Sequence, residues 1–312
     1  MFLVLVATQH GLRAFTGDGE RKGELAGRYI GAVSPEEGGG CLAVIDGHEI
    51  WRRDASGAWS NVAMSPIDLQ SITTVQGCIF GGATEEGAII RVTPNGDVER
   101  LKGFDHVSGR SYWFAGGPPL GVRSLTGNAA GAAVIAAVHV GGMPRSADGG
   151  ETWIPTIPIA YDVHEVRSHP TLSNLVAAAT AVGLCVSRDA GQNWSVLSEG
   201  LEVTNSLAVA VLEDEVLFGI SDGPRASRSQ VWRWKRGAKG WIESARDCPN
   251  GSTARLIQPG LQRVADELPS WTEEEISGSR PWDRAVGSAS PSTCPTLSVY
   301  WFYRPRLIAG TD

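Results

Sequence analysis

The octapeptide SADGGETW, Ser146 to Trp153, returns forty-one residues later as SRDAGQNW, Ser187 to Trp194. Both spell Ser-x-Asp-x-Gly-x-x-Trp, and each residue type suits a tight turn. Asp148 and Asp189 accept backbone N–H bonds within the turn, and Gly150 and Gly191 supply positive φ. The Ser146 and Ser187 hydroxyls add local bonds, and Trp153 and Trp194 re-enter the following strand to fill space. Nothing in the octapeptide performs chemistry; it is a structural device.

The text between the two copies contains the short apolar segments VHEV, NLVAAAT and LCVS, and the second copy runs on into NWSVL. That is four strands in one period. A repeat of 40–45 residues with four strands is the signature of a propeller blade. Degenerate turns extend it: RRDASGAW keeps Asp54 and Trp59, KRGAKGW keeps Trp241 with Arg236 in place of the Asp, and TPNGDV and TGDGER keep only Asn95-Gly96 and Asp18-Gly19. The expectation is an all-β propeller of four-stranded blades, seven in number. Six are recognisable over residues 1–246, and a seventh, degraded or divergent, falls in 247–312.

The first apolar segment, FLVLVAT, reads like the second strand of the other blades (CLAVIDG, CIFGGAT, NLVAAAT). Its inner neighbour is missing, and a C-terminal strand is expected to supply it, which removes a free edge. After Arg246 the pattern stops, and only TLSVYWFYRPRLIAG reads as a strand. A divergent tail is one account. A shifted reading frame is the other: one base early across Asp247–Thr253 forces Leu and then permits Pro, Glu, Trp, Leu and Asp.

The paired octapeptides resemble the Asp-box (BNR) repeats of bacterial sialidases, sortilin-type receptors, xyloglucan hydrolases and a photosystem assembly factor. The resemblance covers about residues 1–245 and implies that each box joins a blade's third and fourth strands. It stops short of sialidase chemistry. The Arg-Ile-Pro motif of those enzymes is absent, the nearest text being GLRAFTG, and Tyr112 and Tyr161 have no assignable Glu.

Composition excludes other classes. The net charge is −7 and there is no Lys/Arg block, so no nucleic-acid footprint exists. The start lacks a signal-peptide pattern and no apolar run reaches the roughly 18 residues of a membrane span, so no membrane association and a cytoplasmic location are expected. Cys41, Cys78, Cys185, Cys248 and Cys294 show no CxxC and are expected as free thiols. No GxxxxGK[ST] occurs.

Function is expected on the face opposite the boxes, where each blade's last strand passes to the next blade. By this strand reading His10, His48, His106, His139 and His164 fall there, and His169 on the box side. Candidate ligand-binding residues are His10, Arg110, Trp113, Arg123, His139, Asp162 and His164. Arg225 and the Tyr112–Phe114 cluster also lie on that side. The expected role is binding a protein or carbohydrate ligand, with no cofactor. The alternative is a glycoside hydrolase-like enzyme using Asp162, His164 and Asp222, with Glu165 in reach, which needs two carboxylates across a cleft. A divalent metal would draw on His10, His139 and His164.

Overall fold

The computed structural model describes residues 2–16, 21–113, 120–129, 131, 133–222, 229–238, 240–246 and 298–303. They form six four-stranded antiparallel sheets. Five of these follow chain order, beginning at the inner strands Ile30–Pro35, Leu69–Val75, Val122–Gly127, Val163–Ser168 and Asn205–Val211. The remaining sheet joins the two ends of the described chain. Its inner strand is Ser298–Tyr303, paired antiparallel with Phe2–Thr8, with Leu5 opposite Tyr300. The strand paired with Phe2–Thr8 is the SVYWFY stretch. The seventh blade, the alternative reading frame and the Asp18-Gly19 turn lie outside the described residues.

Burial explains why these strands pack as blades. The second strands Cys41–Ile45, Val134–Val138 and Val176–Thr180 are buried along their whole length. Sheets stacked on both faces leave no solvent side, so alternation disappears and small Ala and Val residues dominate. The fourth strands Val98–Arg100 and Ser195–Leu197 are mostly exposed. One apolar cluster fills each seam: Phe80, Phe104, Leu125, Val138 and Trp153 share the seam between the third and fourth sheets. A large side chain buried in this way contributes about 1.5–3 kcal/mol.

The two octapeptides fold alike. Each turn links a third to a fourth strand, Met143–Ser146 to Ile154–Ile157 and Gly183–Ser187 to Ser195–Leu197. Ser146 Oγ donates to Asp148 Oδ1 at 2.8 Å and accepts the Gly150 N–H at 2.8 Å, while Asp148 Oδ1 accepts the Thr152 N–H at 2.9 Å. In the second copy the corresponding distances, with Asn193 in place of Thr152, are all 2.8 Å. Trp153 Nε1–H closes the turn on the Gly150 carbonyl at 2.8 Å, and its ring meets Phe104 edge-on in the seam. Asp54, which lacks the Ser, still accepts the Ser56 and Ala58 N–H groups. Arginines of the preceding sheet tie each box down: Arg91 and Arg145 donate to the Gly149 and Ala190 carbonyls, both at 2.7 Å.

Candidate functional site

Strand direction sorts the turns onto two faces. Turns between first and second strands share the box face. Turns between second and third strands, and the handovers between sheets, share the opposite one. His10, His48, Asp222 and His139 lie in or beside second-to-third turns, and His106, Arg110 and Asp162 lie in handovers. Arg123 and His164 open the inner strands Val122–Gly127 and Val163–Ser168. Arg225 lies outside the described residues.

The inner strands pack side by side in succession, so their starting ends surround one mouth of the axis. All five that begin the later sheets bulge at the same place. Pairing skips Gly31, Gln70, Arg123, His164 and Leu207, the second or third residue of each strand. A bulge adds an unpaired residue and re-aims its side chain. All five are half-buried, as residues at a channel mouth should be.

Across this mouth several sheets meet through polar groups. Asp162, with φ of 41°, ends the short 3-10 turn Ile159–Tyr161. Its Oδ2 lies 3.4 Å from His164 Nε2, and its Oδ1 lies 3.6 Å from Arg123 Nη1. His164 Nδ1–H donates to the Ser206 carbonyl of the next sheet at 2.7 Å. The adjacent His164 ring holds the Asp162 carboxyl below the usual carboxylate range; burial opposes this, and Arg123 and His139 reinforce it. Asp162 Oδ1 is buried without a hydrogen-bond donor within reach. His139 is buried, and its N–H donates to the Gly121 carbonyl at 2.9 Å.

Two members of this mouth carry no motif in the sequence. The Gln70 amide donates to the Ala83 carbonyl at 3.2 Å and reaches toward the fourth sheet. A β-carbon on Gly121 would overlap the Thr84 backbone carbonyl as well as that amide, so glycine is required there. Tyr29, 47% exposed, lays its ring against the Gly31 bulge. The signal that would have found Gln70 is its register, Leu69-Gln70-Ser71 matching Val122-Arg123-Ser124 and Val163-His164-Glu165.

Other candidates stand apart from this group. Trp113 is 9% exposed and belongs to the apolar seam. Arg110 stacks over it at 4.6 Å and donates to the Gly87 carbonyl at 2.8 Å, so the pair braces its loop. Tyr112 is exposed, and Phe114 lies outside the described residues. Glu165 is engaged by Arg167 at 2.5 Å and by the Val209 N–H at 2.9 Å. His10 is exposed in the first sheet, away from the fourth and fifth sheets that carry His139 and His164. Among the described residues no three His, Cys, Asp or Glu side chains gather at a spacing that would hold a metal ion. His169 is 1% exposed, and its ring bonds the Glu213 carbonyl and the Thr171 and Leu172 N–H groups. Cys41, Cys78 and Cys185 are free thiols, Cys41 pushed up to about 12 by burial. No helix among the described residues is long and apolar enough to cross a membrane.

Six radial sheets around an axis, with a polar mouth at one end, define a β-propeller. Sequence comparison matches the chain to no family model and to no curated protein. Solved structures do match its fold. An ancestral GH74 enzyme superposes with a TM-score of 0.53 at 12% identity over 69% of this chain, which spans 31% of that enzyme. YCF48 bound to D1 peptide gives 0.53 at 17% identity, covering 78% of this chain and 77% of the other. YCF48 from Cyanidioschyzon merolae gives 0.54 at 15% identity, covering 77% and 80%.

Proposed function

We propose that the chain is a binding module whose two octapeptides are Asp-box repeats and whose ligand, a protein segment, is taken at the channel mouth. The observation that carries this reading is the polar contact across three sheets, from Arg123 through Asp162 and His164 to Ser206. The box aspartates, by contrast, are satisfied within their own turns. At the mouth a charged pair meets at 3.6 Å, beyond hydrogen-bond range, beside an imidazole and a carboxylate whose side chains are 13% and 36% exposed. The likeness to a propeller solved with a bound peptide is in keeping with a peptide ligand.

The alternative is glycoside hydrolase-like chemistry. In it Asp162, held charged, fits a base or nucleophile, and the acid would have to come from Asp222, an exposed residue of the sixth sheet. One experiment separates the two. Purified protein is panned against displayed random peptides and, in parallel, against a glycan array. Peptides retained by the native protein and lost on Arg123→Ala, but kept by Asp148→Ala on the opposite face, are the expected result. Retention of glycans without peptides would sink the proposal.

A further inference from the structure

We infer that the mouth face carries a proton-dependent contact, built twice, in which a histidine Nε2 bonds an aspartate only while the imidazole holds its second proton. A ligand taken there is held at mildly acid pH and released as pH rises. That consequence rests on the binding reading and adds its regulation, whereas the contact rests on how the two rings are bonded.

The two aspartates occupy one position in the fold. Asp68 and Asp162 each stand immediately before an inner strand, ahead of Leu69 and Val163, the paired residues that precede the bulges. The carbonyl of each accepts an N–H from the residue that follows the second strand of its own sheet, Thr84 at 2.9 Å and Ala181 at 3.2 Å. The histidines arrive from different places. His48 belongs to the second-to-third turn of the preceding sheet, and His164 lies two residues after its aspartate.

Both rings are nevertheless bonded alike. His164 Nδ1 meets the Ser206 carbonyl at 2.7 Å, and His48 Nδ1 meets the Ser65 carbonyl at 3.3 Å. A carbonyl oxygen only accepts, so each Nδ1 carries a hydrogen. A neutral imidazole has one N–H, which leaves Nε2 with a bare lone pair. That nitrogen faces Asp162 Oδ2 at 3.4 Å in one case and Asp68 Oδ1 at 2.9 Å in the other. Two acceptors therefore oppose each other until a second proton turns the contact into a charge-assisted bond. With the His164 ring beside it the Asp162 carboxyl stays below its usual range, so the shared proton sits on the ring. His169, on the box face, is bonded the other way round. Its Nδ1 accepts the Thr171 and Leu172 N–H groups at 3.1 and 2.9 Å and its Nε2 meets the Glu213 carbonyl, so a neutral ring satisfies all three contacts.

The charged neighbours are these. From the fourth sheet Arg123 and His139 act on Asp162, Arg123 approaching the other carboxylate oxygen at 3.6 Å. On the strand of His164 itself, Glu165 is taken by Arg167 and by the Val209 N–H of the sixth sheet. The sixth sheet also carries the exposed Asp222 after its second strand. Beside His48, Asp46 and Glu49 are both engaged by Arg28. When the second proton leaves His164, the link from Asp162 through the ring to Ser206 loses its middle bond. The sheets at the mouth are then held less firmly in one arrangement, and a site shaped in advance binds more tightly than one that must be ordered.

Ring-nitrogen NMR of the native protein at about pH 5 and about pH 8 reads the contact without a ligand. His164 should carry both N–H groups at the lower value and only Nδ1–H at the higher. A neutral His164 carrying Nε2–H instead overturns the inference. Panned peptides read the consequence: retention by the native protein should fall about 10-fold from the lower pH to the higher, the loss of one charge-assisted bond. Asp162→Asn sets an amide donor against the bare Nε2, and Asn tolerates the φ of 41° found there. Whatever its level of binding, that variant should flatten the ratio between the two pH values. Asp68→Asn should change the ratio least, because its pair with His48 is 63% and 44% exposed. An unaltered ratio in Asp162→Asn, or equal retention by the native protein at both pH values, overturns the inference and leaves peptide binding standing. No peptide retained at either pH overturns the binding reading, and the ring spectra then judge the contact alone.

Discussion

The box turn at Ser146–Trp153 and the mouth at Arg123–Asp162–His164 are both polar, and both hold an aspartate below its usual range. They differ in where the partners come from. Every bond of Asp148 is made within four residues, by Ser146 and Thr152. Asp162 faces the fourth sheet through Arg123, and through His164 it is linked to the sixth. Polar groups closed within one turn specify backbone shape. Polar groups from several sheets, brought together at an open end of the axis, specify a surface.

The comparison is sharpened most by Trp153→Ala, which opens the seam against Phe104. A loss of about 3–5 kcal/mol in urea unfolding is expected. Ser146→Ala comes next. It strips the buried Gly150 N–H of its acceptor and should cost about 1–3 kcal/mol. At the mouth, Arg123→Gln should shift stability by about 1 kcal/mol, because its contact with Asp162 is 3.6 Å long and the two side chains are 22% and 36% exposed. A larger loss there would break the distinction between the two regions.

Acid offers a further test. Burial pushes the Asp148 carboxyl up, but bonds from Thr152 and Ser146 outweigh it and bring it to about 2. A folded value below the unfolded one means stability present above about pH 4, lost as pH falls toward 2. Asp148→Asn should flatten that limb of the stability profile, and an unchanged limb would contradict the assignment. The smallest effect is a gain. Ala190 sits at φ 59° where the first box has Gly149, so Ala190→Gly should raise stability by about 0.5–1 kcal/mol.

The boxes were legible because their bonds are local: a serine, an aspartate and a tryptophan at fixed offsets fix the turn wherever it lies. The blade period and the C-terminal partner of Phe2–Thr8 followed from the same repetition. The mouth was legible only in part. Counting strands puts Arg123, Asp162 and His164 on the face opposite the boxes, where the structure also has them, but gives no sign of Gln70. A bulge leaves no compositional mark, since it is one extra residue in a pairing between segments far apart in the chain. Trp113 was legible as an aromatic plug or a stacking platform alike. Only the guanidinium of Arg110 lying over it distinguishes the two.

The sheet that pairs Phe2–Thr8 with Ser298–Tyr303 imposes an order on biosynthesis. Translation at about 5–20 residues per second puts roughly 15–60 s between Phe2–Thr8 and Ser298–Tyr303. Through that interval Phe2–Thr8 has its inner edge unpaired, open to any chain that offers a strand. A nascent-chain chaperone, or a slow stretch of translation late in the message, would act on that one exposed edge.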